Sequence, residues 1–239
     1  MELDYHRVAN VIRTRLYRKC KDNCKDGLYG KGWNKKGLPC WCDQEYNRIY
    51  PQIKAGIPME YINVDTIRKE IREKFKEFKE LIGDVNETAL EQGIGYCVWA
   101  GPYGVGKTTF CTQFLKMCLD AGIEGYYLHI KQFQDAVFMF HDKEAQSYYI
   151  DKILDAQVLV IDGLGEEYEM DEARFFPKQL CNFIRLRRNC NKSTSFSTNL
   201  SPKSLKSRYK DEFYSLMKNR IIEFELKSKK DLRGSKKDV

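Results

Sequence analysis

The sequence predicts an α/β fold in which a parallel sheet is covered by helices on both faces. Two observations predict it. From residue 95 onwards, short apolar segments typical of buried strands alternate with segments whose apolar residues recur at helical spacing. The first strand and the first helix of this series are joined by a glycine-rich segment, 101–109, which matches the phosphate-binding pattern G-x-x-x-x-G-K-[ST]. At 239 residues the chain has room for one domain preceded by a small module.

The individual elements follow from local apolar patterns and from proline and glycine positions. Strands are predicted at 95–100, 126–130, 158–161, 193–198 and 221–226, and helices at 110–119, 132–140, 177–188 and 202–218. Ahead of them, apolar residues three or four apart at 67–82 predict a helix along the edge of the domain. We expect its aromatic side chains to lie in the core and its charged side chains in solvent.

The glycine-rich segment has the residue types that a polyphosphate site requires. Glycines let the backbone turn tightly, so that its N–H groups converge on the phosphates, and the following helix adds the positive end of its dipole. Lys107 supplies a positive charge for the outer phosphates, and the Thr108 hydroxyl can bind Mg²⁺. A glycine-rich turn with a chance lysine is the alternative. The residues expected to bind the nucleotide are Gly101, Gly104, Val105, Gly106, Lys107, Thr108 and Thr109.

Two polar residues follow predicted strands and would lie at the edge of the sheet beside this loop. Asp162 follows the mostly β-branched segment 158–161. A carboxylate there can reach Mg²⁺ through a water molecule, whereas the alternative is an aspartate that forms a turn before Gly163. Asn199 follows the strand at 193–198, where its amide could orient the attacking water or contact the γ-phosphate. Asparagine is also a common turn residue.

Four cysteines precede the glycine-rich segment in two close pairs, Cys20 with Cys24 and Cys40 with Cys42. This spacing suits an all-thiolate tetrahedral zinc site, in which each pair binds one edge of the metal. The loop between the pairs is rich in Gly and Lys and poor in apolar residues, so it would need the metal to fold. Free thiols and an iron–sulfur cluster are the alternatives. The other five cysteines are expected to behave as small hydrophobic residues.

The N-terminal region is expected to form a separate module at 1–55, followed by the main domain at 56–239. Pro51 and Pro58 mark this boundary. Apolar residues every four positions predict an amphipathic helix that either packs on the zinc module or docks on a partner protein. These residues are Val8, Ile12 and Leu16.

The net charge of +7 is concentrated at the two ends of the chain. Basic residues exceed acidic ones by five in residues 1–50 and by six in 201–239, whereas acidic residues exceed basic ones by four between them. Basic ends suggest contact with a polyanion, and the alternative is a charged surface that keeps the protein soluble. Three arginines on one predicted helix could follow a single-stranded nucleic-acid backbone: Arg185, Arg187 and Arg188.

The sequence predicts a cytoplasmic protein without membrane contact. No apolar segment approaches the roughly 18 residues that span a bilayer, and the N-terminus lacks the apolar core of a secretory signal. The nine cysteines are then expected to stay reduced.

The order of these motifs resembles that of the DnaC-type helicase loaders of bacteria and their phages, a branch of the AAA+ ATPases. The resemblance covers nearly the whole chain and is most specific in CKDG…CWC, in AGIPMEY at 55–61 and in NLSP at 199–202. It implies a three-layer P-loop NTPase fold of the AAA+ (ASCE) kind, zinc on the four cysteines, and ATP with Mg²⁺ at the phosphate loop. Asn199 would be the first sensor residue.

The same resemblance implies partners and a location. In such proteins the N-terminal module contacts a hexameric replicative helicase, the ATPase domain contacts single-stranded DNA, and subunits assemble in an ATP-dependent ring or spiral. The implied location is the cytoplasm of a bacterial cell or of a phage-infected one.

The chain departs from the family pattern in two ways. Gly163 stands where family members carry an acidic residue, and the nearest carboxylates are those of Glu166 and Glu167. Hydrolysis is therefore expected to be slow, or its base displaced. The trans-acting arginine expected after Ser215 is also missing, and Arg220 is favoured over Arg208 as its substitute.

A helical lid is not expected, because only 40 residues follow Asn199. Arg233 resembles a late family arginine that could reach the nucleotide in place of the lid.

The favoured interpretation is an ATP-binding, weakly hydrolysing AAA+ protein that loads or regulates a replicative helicase on single-stranded DNA. A transposition helper ATPase of the IstB type and a nucleotide-dependent zinc adaptor are alternatives. A nucleotide kinase is a weaker alternative, because it would need a second substrate pocket and usually a lid with arginines.

Overall fold

The chain divides into two compact units, Met1–Asn63 and Val64–Val239. The division falls a few residues beyond the expected boundary at 55/56. The computed structural model describes residues 5–18, 20, 40–62, 72–73, 75–76, 80, 92–101, 103–138, 142–168, 175–218 and 220–226.

The described part of the first unit is helical. Its helices are α1 (Tyr5–Arg18), α2 (Trp41–Lys54) and α3 (Met59–Ile62). α1 packs against α2, and Ala9 and Ile12 of α1 and Ile49 and Ile53 of α2 are buried. Packing within its own module is therefore the role of the apolar face of α1. Val11, on the outer side of the helix, is 47% exposed.

Pro51 lies inside α2 and does not end it. A proline within a helix lacks the amide proton for one helical hydrogen bond. Pro51 lies in the last turn, and its own carbonyl accepts a 2.9 Å hydrogen bond from the amide of Ala55, so the helix continues past it to Lys54. Because Pro51 is interpreted as a boundary signal, the sequence analysis does not predict the 14-residue helix α2.

The second unit is built on a five-stranded sheet in which the paired strands are parallel. In chain order its strands are β1 (Gly95–Trp99), β2 (Gly125–His129), β3 (Val158–Leu164), β4 (Ser193–Thr198) and β5 (Ile221–Glu225). Their spatial order is β2-β3-β4-β1-β5. Because all pairs are parallel, the carboxyl ends of the strands meet at one edge of the sheet.

Helices cover both faces of this sheet. They are α4 (Lys107–Asp120), α5 (Ile130–Val137), α6 (Lys143–Asp155), α7 (Phe175–Asn189) and α8 (Pro202–Met217). Successive strand residues point to opposite faces. Tyr96 packs edge-on against Phe110 and Phe114 of α4, whereas the adjacent Cys97 belongs to a buried cluster that includes Phe133 of α5 and residues of α7 and α8. This three-layer arrangement confirms the predicted α/β fold.

The predicted elements differ from the observed ones in a few places. Helix α6, with the sequence KEAQSYYIDKILD, is not among the predicted helices, although Tyr149 and Ile153 lie at helical spacing. The helix expected at 67–82 falls mostly outside the described residues, but Phe75 is buried and its ring centroid lies 5.3 Å from that of Phe110, as expected for a core aromatic. Cys190 is exposed, although we expected a core residue there. The described helices include none that is long and apolar enough to cross a membrane.

Candidate nucleotide-binding and metal sites

The glycine-rich loop connects the carboxyl end of β1 to the first turn of α4. Gly104 and Gly106 have positive φ angles of 75° and 95°, in which a side chain would be strained. Gly106 is the N-cap of α4, so the amide groups of the first helical turn face the loop. Val105 is buried and anchors the loop, whereas Tyr103 is 61% exposed. The loop therefore has a backbone suited to holding an anion at a helix N-terminus.

The other predicted loop residues lie on either side of these glycines. Gly101 follows Ala100 directly after β1, and Lys107, Thr108 and Thr109 form the first turn of α4. The loop, the lysine and the hydroxyl residues are thus brought together at the carboxyl edge of the sheet.

Asp162, on β3, is joined to α4 by a hydrogen bond. The hydroxyl of Thr108 donates to Asp162 Oδ2 at 2.8 Å, and the hydroxyl of Tyr127 donates to the same oxygen at 2.7 Å. The hydroxyl of Ser197 donates to the other oxygen, Oδ1. The carboxylate is only 6% exposed, and hydroxyl groups from β2, β4 and α4 fix its orientation.

These side chains fit a magnesium ion and a triphosphate. Mg²⁺ prefers oxygen ligands, and the Thr108 and Asp162 oxygens lie together beside a helix N-terminus. Asn199 Oδ1 is buried and has no hydrogen-bond partner among the described residues, as expected for a group that a ligand completes. Thr108 and Asp162 would hold the ion, and Lys107 would face the phosphates. When bound, the ion would offset the negative charge of the phosphate oxygens.

Asn199 and two residues from other loops form a polar group at the same edge. The amide nitrogen of Asn199, just after β4, donates to Glu166 Oε1 at 2.6 Å. His129 Nε2, at the end of β2, lies 3.4 Å from Glu166 Oε2. The carboxylate of Glu166 is therefore held from both sides across the end of β3.

Glu167 points to α8 instead. Its Oε1 accepts hydrogen bonds from the backbone amide of Gly165 at 2.9 Å and from the buried hydroxyl of Tyr209. Its Oε2 accepts a 2.8 Å hydrogen bond from Arg208 Nη2. Burial, together with the adjacent carboxylate of Glu167, raises the pKa of Tyr209 well above its usual range. Glu167 thus fastens the loop after β3 to α8, and Arg208 is engaged within its own subunit.

The backbone conformation of Gly163 does not accommodate the acidic residue that the family pattern has at this position. Its φ is 80°, and a Cβ placed on it would lie 2.5 Å from His129 Nε2. The imidazole of His129 therefore occupies the space into which a side chain at position 163 would extend.

We predict that Gly163→Glu does not restore fast hydrolysis. A side chain in this conformation costs about 1–3 kcal/mol, and it must also displace His129. The variant should unfold at lower urea concentration than the wild type, with no gain in ATP turnover. A stable variant that hydrolyses ATP about tenfold faster or more would contradict this prediction.

Arg220 lies at the opposite edge of the sheet from the phosphate loop. Its carbonyl accepts a 2.8 Å hydrogen bond from the amide of Gly95, the first residue of β1, and its guanidinium donates to the carbonyl of Gln92. The length of β1 separates this position from the loop by about 13 Å. Arg220 is thus not part of the nucleotide site in its own subunit. Arg233 lies outside the described residues.

Arg187 is not available to a nucleic acid. It is 1% exposed, and its guanidinium donates to the carbonyls of Ile153, Ala156 and Ser193 at 2.5, 2.8 and 2.6 Å. Burial lowers its pKa to about 9. The expectation that Arg187 follows a nucleic-acid backbone is therefore wrong, because this side chain links the end of α6 to β4.

Three side chains of the candidate site are not among the residues predicted from the sequence: Tyr127, His129 and Ser197. A usable signal is the polar composition of STSFST, since hydroxyl residues are unexpected throughout a central buried strand. A histidine at the end of a strand that neighbours the aspartate strand is a second signal.

The first unit contains a cluster of thiols. The sulfur atoms of Cys20, Cys40 and Cys42 all lie within 4.8 Å of one another. The distance from Cys20 Sγ to Cys40 Sγ is 3.9 Å, close to the edge of about 3.8 Å in a zinc–thiolate tetrahedron. Cys40 Sγ and Cys42 Sγ are 2.7 Å apart, so these two sulfur atoms would separate by about 1 Å around a bound ion. Burial, with added effects from the other two thiols, raises the pKa of Cys42. A bound cation would offset the cost of forming thiolates there, so the cluster fits zinc. Cys24 lies outside the described residues.

No protein-family model matches the chain, and no curated protein matches it. Solved structures do. A DnaC helicase loader is 23% identical, with a TM-score of 0.59, over 71% of this chain and 100% of that one. A DnaI structure is 13% identical, with a TM-score of 0.52, over 71% of this chain and 87% of the DnaI chain. The replication initiator DnaA bound to AMPPCP and single-stranded DNA is 15% identical, with a TM-score of 0.53, over 72% of this chain and 51% of that one.

Identities this low establish the fold alone, and the chain spans about half the length of the DnaA chain. The five parallel strands, with the phosphate loop after β1 and Asp162 on β3, agree with that fold. The chain therefore has the P-loop AAA+ fold of the DnaC-type helicase loaders, and the resemblance drawn from its motifs is confirmed at the level of the fold.

Proposed function

We propose that this protein is an ATP-binding, slowly hydrolysing AAA+ protein that loads or regulates a hexameric replicative helicase on single-stranded DNA. The observation that carries the proposal is the hydrogen bond between Thr108 and Asp162 beside the phosphate loop. It supports a magnesium site, because the two oxygens lie next to the N-terminus of α4, where the phosphates of ATP would bind.

ATP would act through its contacts with four residues. Lys107 would contact the outer phosphates, Thr108 and Asp162 would hold Mg²⁺, and Asn199 would contact the γ-phosphate. Such sites work by positioning and by neutralising charge, so nucleotide state can change how the protein grips a partner. Slow turnover suits this role, because it prolongs the ATP-bound state.

The helicase would bind the first unit. α1 uses its apolar face to pack on α2 and leaves Val11 and the basic residues Arg15 and Arg18 exposed. Arg13 is less available, because its guanidinium lies over the rings of Tyr17 and Tyr46. A helix with one apolar and two basic exposed residues on a zinc-bound module suits docking on a protein surface.

DNA and neighbouring subunits would bind the second unit. The basic C-terminal region and the exposed Arg185 could contact a single-stranded backbone. Arg220, which lies away from its own phosphate loop, would complete the site of the next subunit in a ring or spiral. We infer that the protein acts in the cytoplasm of a bacterial cell or of a phage-infected one, where replicative helicases work on DNA.

Co-elution with a hexameric replicative helicase tests the proposal. We expect the full chain with ATP and Mg²⁺ to co-elute with the helicase of its host. Arg15→Glu should weaken the complex about tenfold, because it reverses a charge on the proposed docking face. Lys54→Glu, at the exposed end of α2, is the matched control and should bind like the wild type.

Different results would contradict the loader function and the docking face on α1. A wild-type chain that binds ATP but never co-elutes with the helicase would contradict the loader function. Unchanged binding by Arg15→Glu would contradict the docking face alone.

A further inference from the structure

We propose that Glu166 is the general base of ATP hydrolysis, and that His129 and Asn199 are the residues that position it. The inference rests on the proposed ATPase function and adds the group that activates water. A hydrolysing site needs such a group within reach of the attacking water.

Among the carboxylates that the structure describes near this edge, the contacts of the others leave Glu166 as the candidate. Asp162 is almost fully buried, and three hydroxyls donate to it, including that of the expected magnesium ligand Thr108. Glu167 is bound to Tyr209 and Arg208 and faces α8. The side chain of Glu166 is 34% exposed, so water can reach it.

Glu166 is placed across the end of β3, between residues from the two neighbouring strands. Asn199 comes from the end of β4 and holds Oε1 at 2.6 Å, whereas His129 comes from the end of β2 and lies 3.4 Å from Oε2. The predicted γ-phosphate residue, Asn199, therefore directly contacts the proposed base.

The orientation of His129 is fixed by helix α5. Its Nδ1 accepts a 3.3 Å hydrogen bond from the amide of Lys131, and its own amide donates to Gln132 Oε1 at 2.8 Å. In the neutral ring an accepting Nδ1 leaves the proton on Nε2, the atom that faces Glu166. His129 also fills the space next to Gly163. The imidazole of His129 can therefore take this position only because residue 163 has no side chain.

The loop that carries Glu166 is anchored on both sides. Gln134, which is buried on α5, donates to the carbonyl of Tyr168 at 3.2 Å and accepts from its amide at 2.8 Å. Glu167 is bonded to the amide of Gly165. Such anchoring holds a catalytic group in position before the substrate binds. The site then needs less free energy to reorganise this group during the reaction.

The chemical step is the attack of water on the γ-phosphorus of ATP. The water oxygen forms a bond to phosphorus as the bond from phosphorus to the β–γ bridging oxygen breaks, and that electron pair stays on the bridging oxygen of ADP. The Glu166 carboxylate takes one proton from the water and later releases it to solvent. The products are ADP, inorganic phosphate and a proton.

Steady-state hydrolysis and ATP binding, measured on the full chain, test the inference. Glu166→Gln should lower kcat at least about 100-fold, the usual contribution of a general base, and leave the Kd for ATP within about threefold. Glu166→Asp should retain part of the activity. His129→Ala should lower kcat about tenfold with KM little changed, because the base is still present but less well held. Glu144→Gln, on the exposed side of α6, is the control and should match the wild type.

Nucleotide binding shows that each variant is folded and separates the two levels of the proposal. Hydrolysis by Glu166→Gln at the wild-type rate, in a wild-type protein that does hydrolyse ATP, would overturn the role of Glu166 alone. A His129→Ala variant that loses ATP affinity in place of kcat would overturn its positioning role. A wild type that binds no ATP would instead overturn the proposed function.

Discussion

Replacing Lys107 with alanine is expected to weaken ATP binding about 100-fold. Lys107 begins α4 directly after the phosphate loop, where its ammonium group can reach the outer phosphates. Hydrogen bonds to charged groups contribute about 1.5–3 kcal/mol, and the upper part of this range corresponds to that factor. The backbone of the loop remains in Lys107→Ala, so weak residual binding should persist. Calorimetric titration with ATP and Mg²⁺ gives the Kd directly.

A matched control is available on the same unit. Lys143, the exposed first residue of α6, has the same charge and also begins a helix. Lys143→Ala should bind ATP like the wild type, because it lies outside the phosphate loop. If Lys107→Ala binds within about threefold of the wild type, the phosphate loop is not the nucleotide site.

Replacing Cys40 with serine is expected to remove zinc and to unfold the first unit. Purified wild-type protein should contain about one zinc per chain, because a site of four thiolates binds one ion. Cys40 and Cys42 are buried at the start of α2, so loss of the metal leaves thiols inside a segment with few apolar residues to replace it. Elemental analysis measures the zinc, and limited proteolysis should show rapid cleavage within residues 1–63.

The second unit should keep its function in this variant. The second unit has its own sheet and core, so the Cys40→Ser variant should bind ATP with unchanged affinity. It should no longer bind the helicase. Cys190→Ser, which alters an exposed thiol of the second unit, is the control and should retain its zinc. Less than about a tenth of an equivalent of zinc in wild-type protein prepared without chelator would contradict the metal site.

Elements whose signals are local can be predicted from the amino-acid sequence. Four of the five strands of the described sheet and the phosphate loop follow from short apolar segments and glycine spacing, because burial in a parallel sheet and tight turns each require particular residues within a few positions. β4, with the sequence STSFST, is predicted correctly although it has one apolar residue. Three of the four cysteines come together as their paired spacing predicts. A local signal is misleading at Pro51, which lies inside α2 although its residue type marks a boundary.

Which side chains meet at the edge of the sheet depends on the order of the strands in space. Glu166, His129 and Asn199 are more than 30 positions apart, and the strand order alone brings the ends of β2, β3 and β4 together. The contacts of each charged side chain are determined in the same way. Arg187 points into the protein toward carbonyl groups, and Glu167 points to α8, whereas the adjacent Glu166 contacts Asn199 and His129. Identical residue types therefore differ in function here because the packing of distant segments, which no local pattern records, determines what each one contacts.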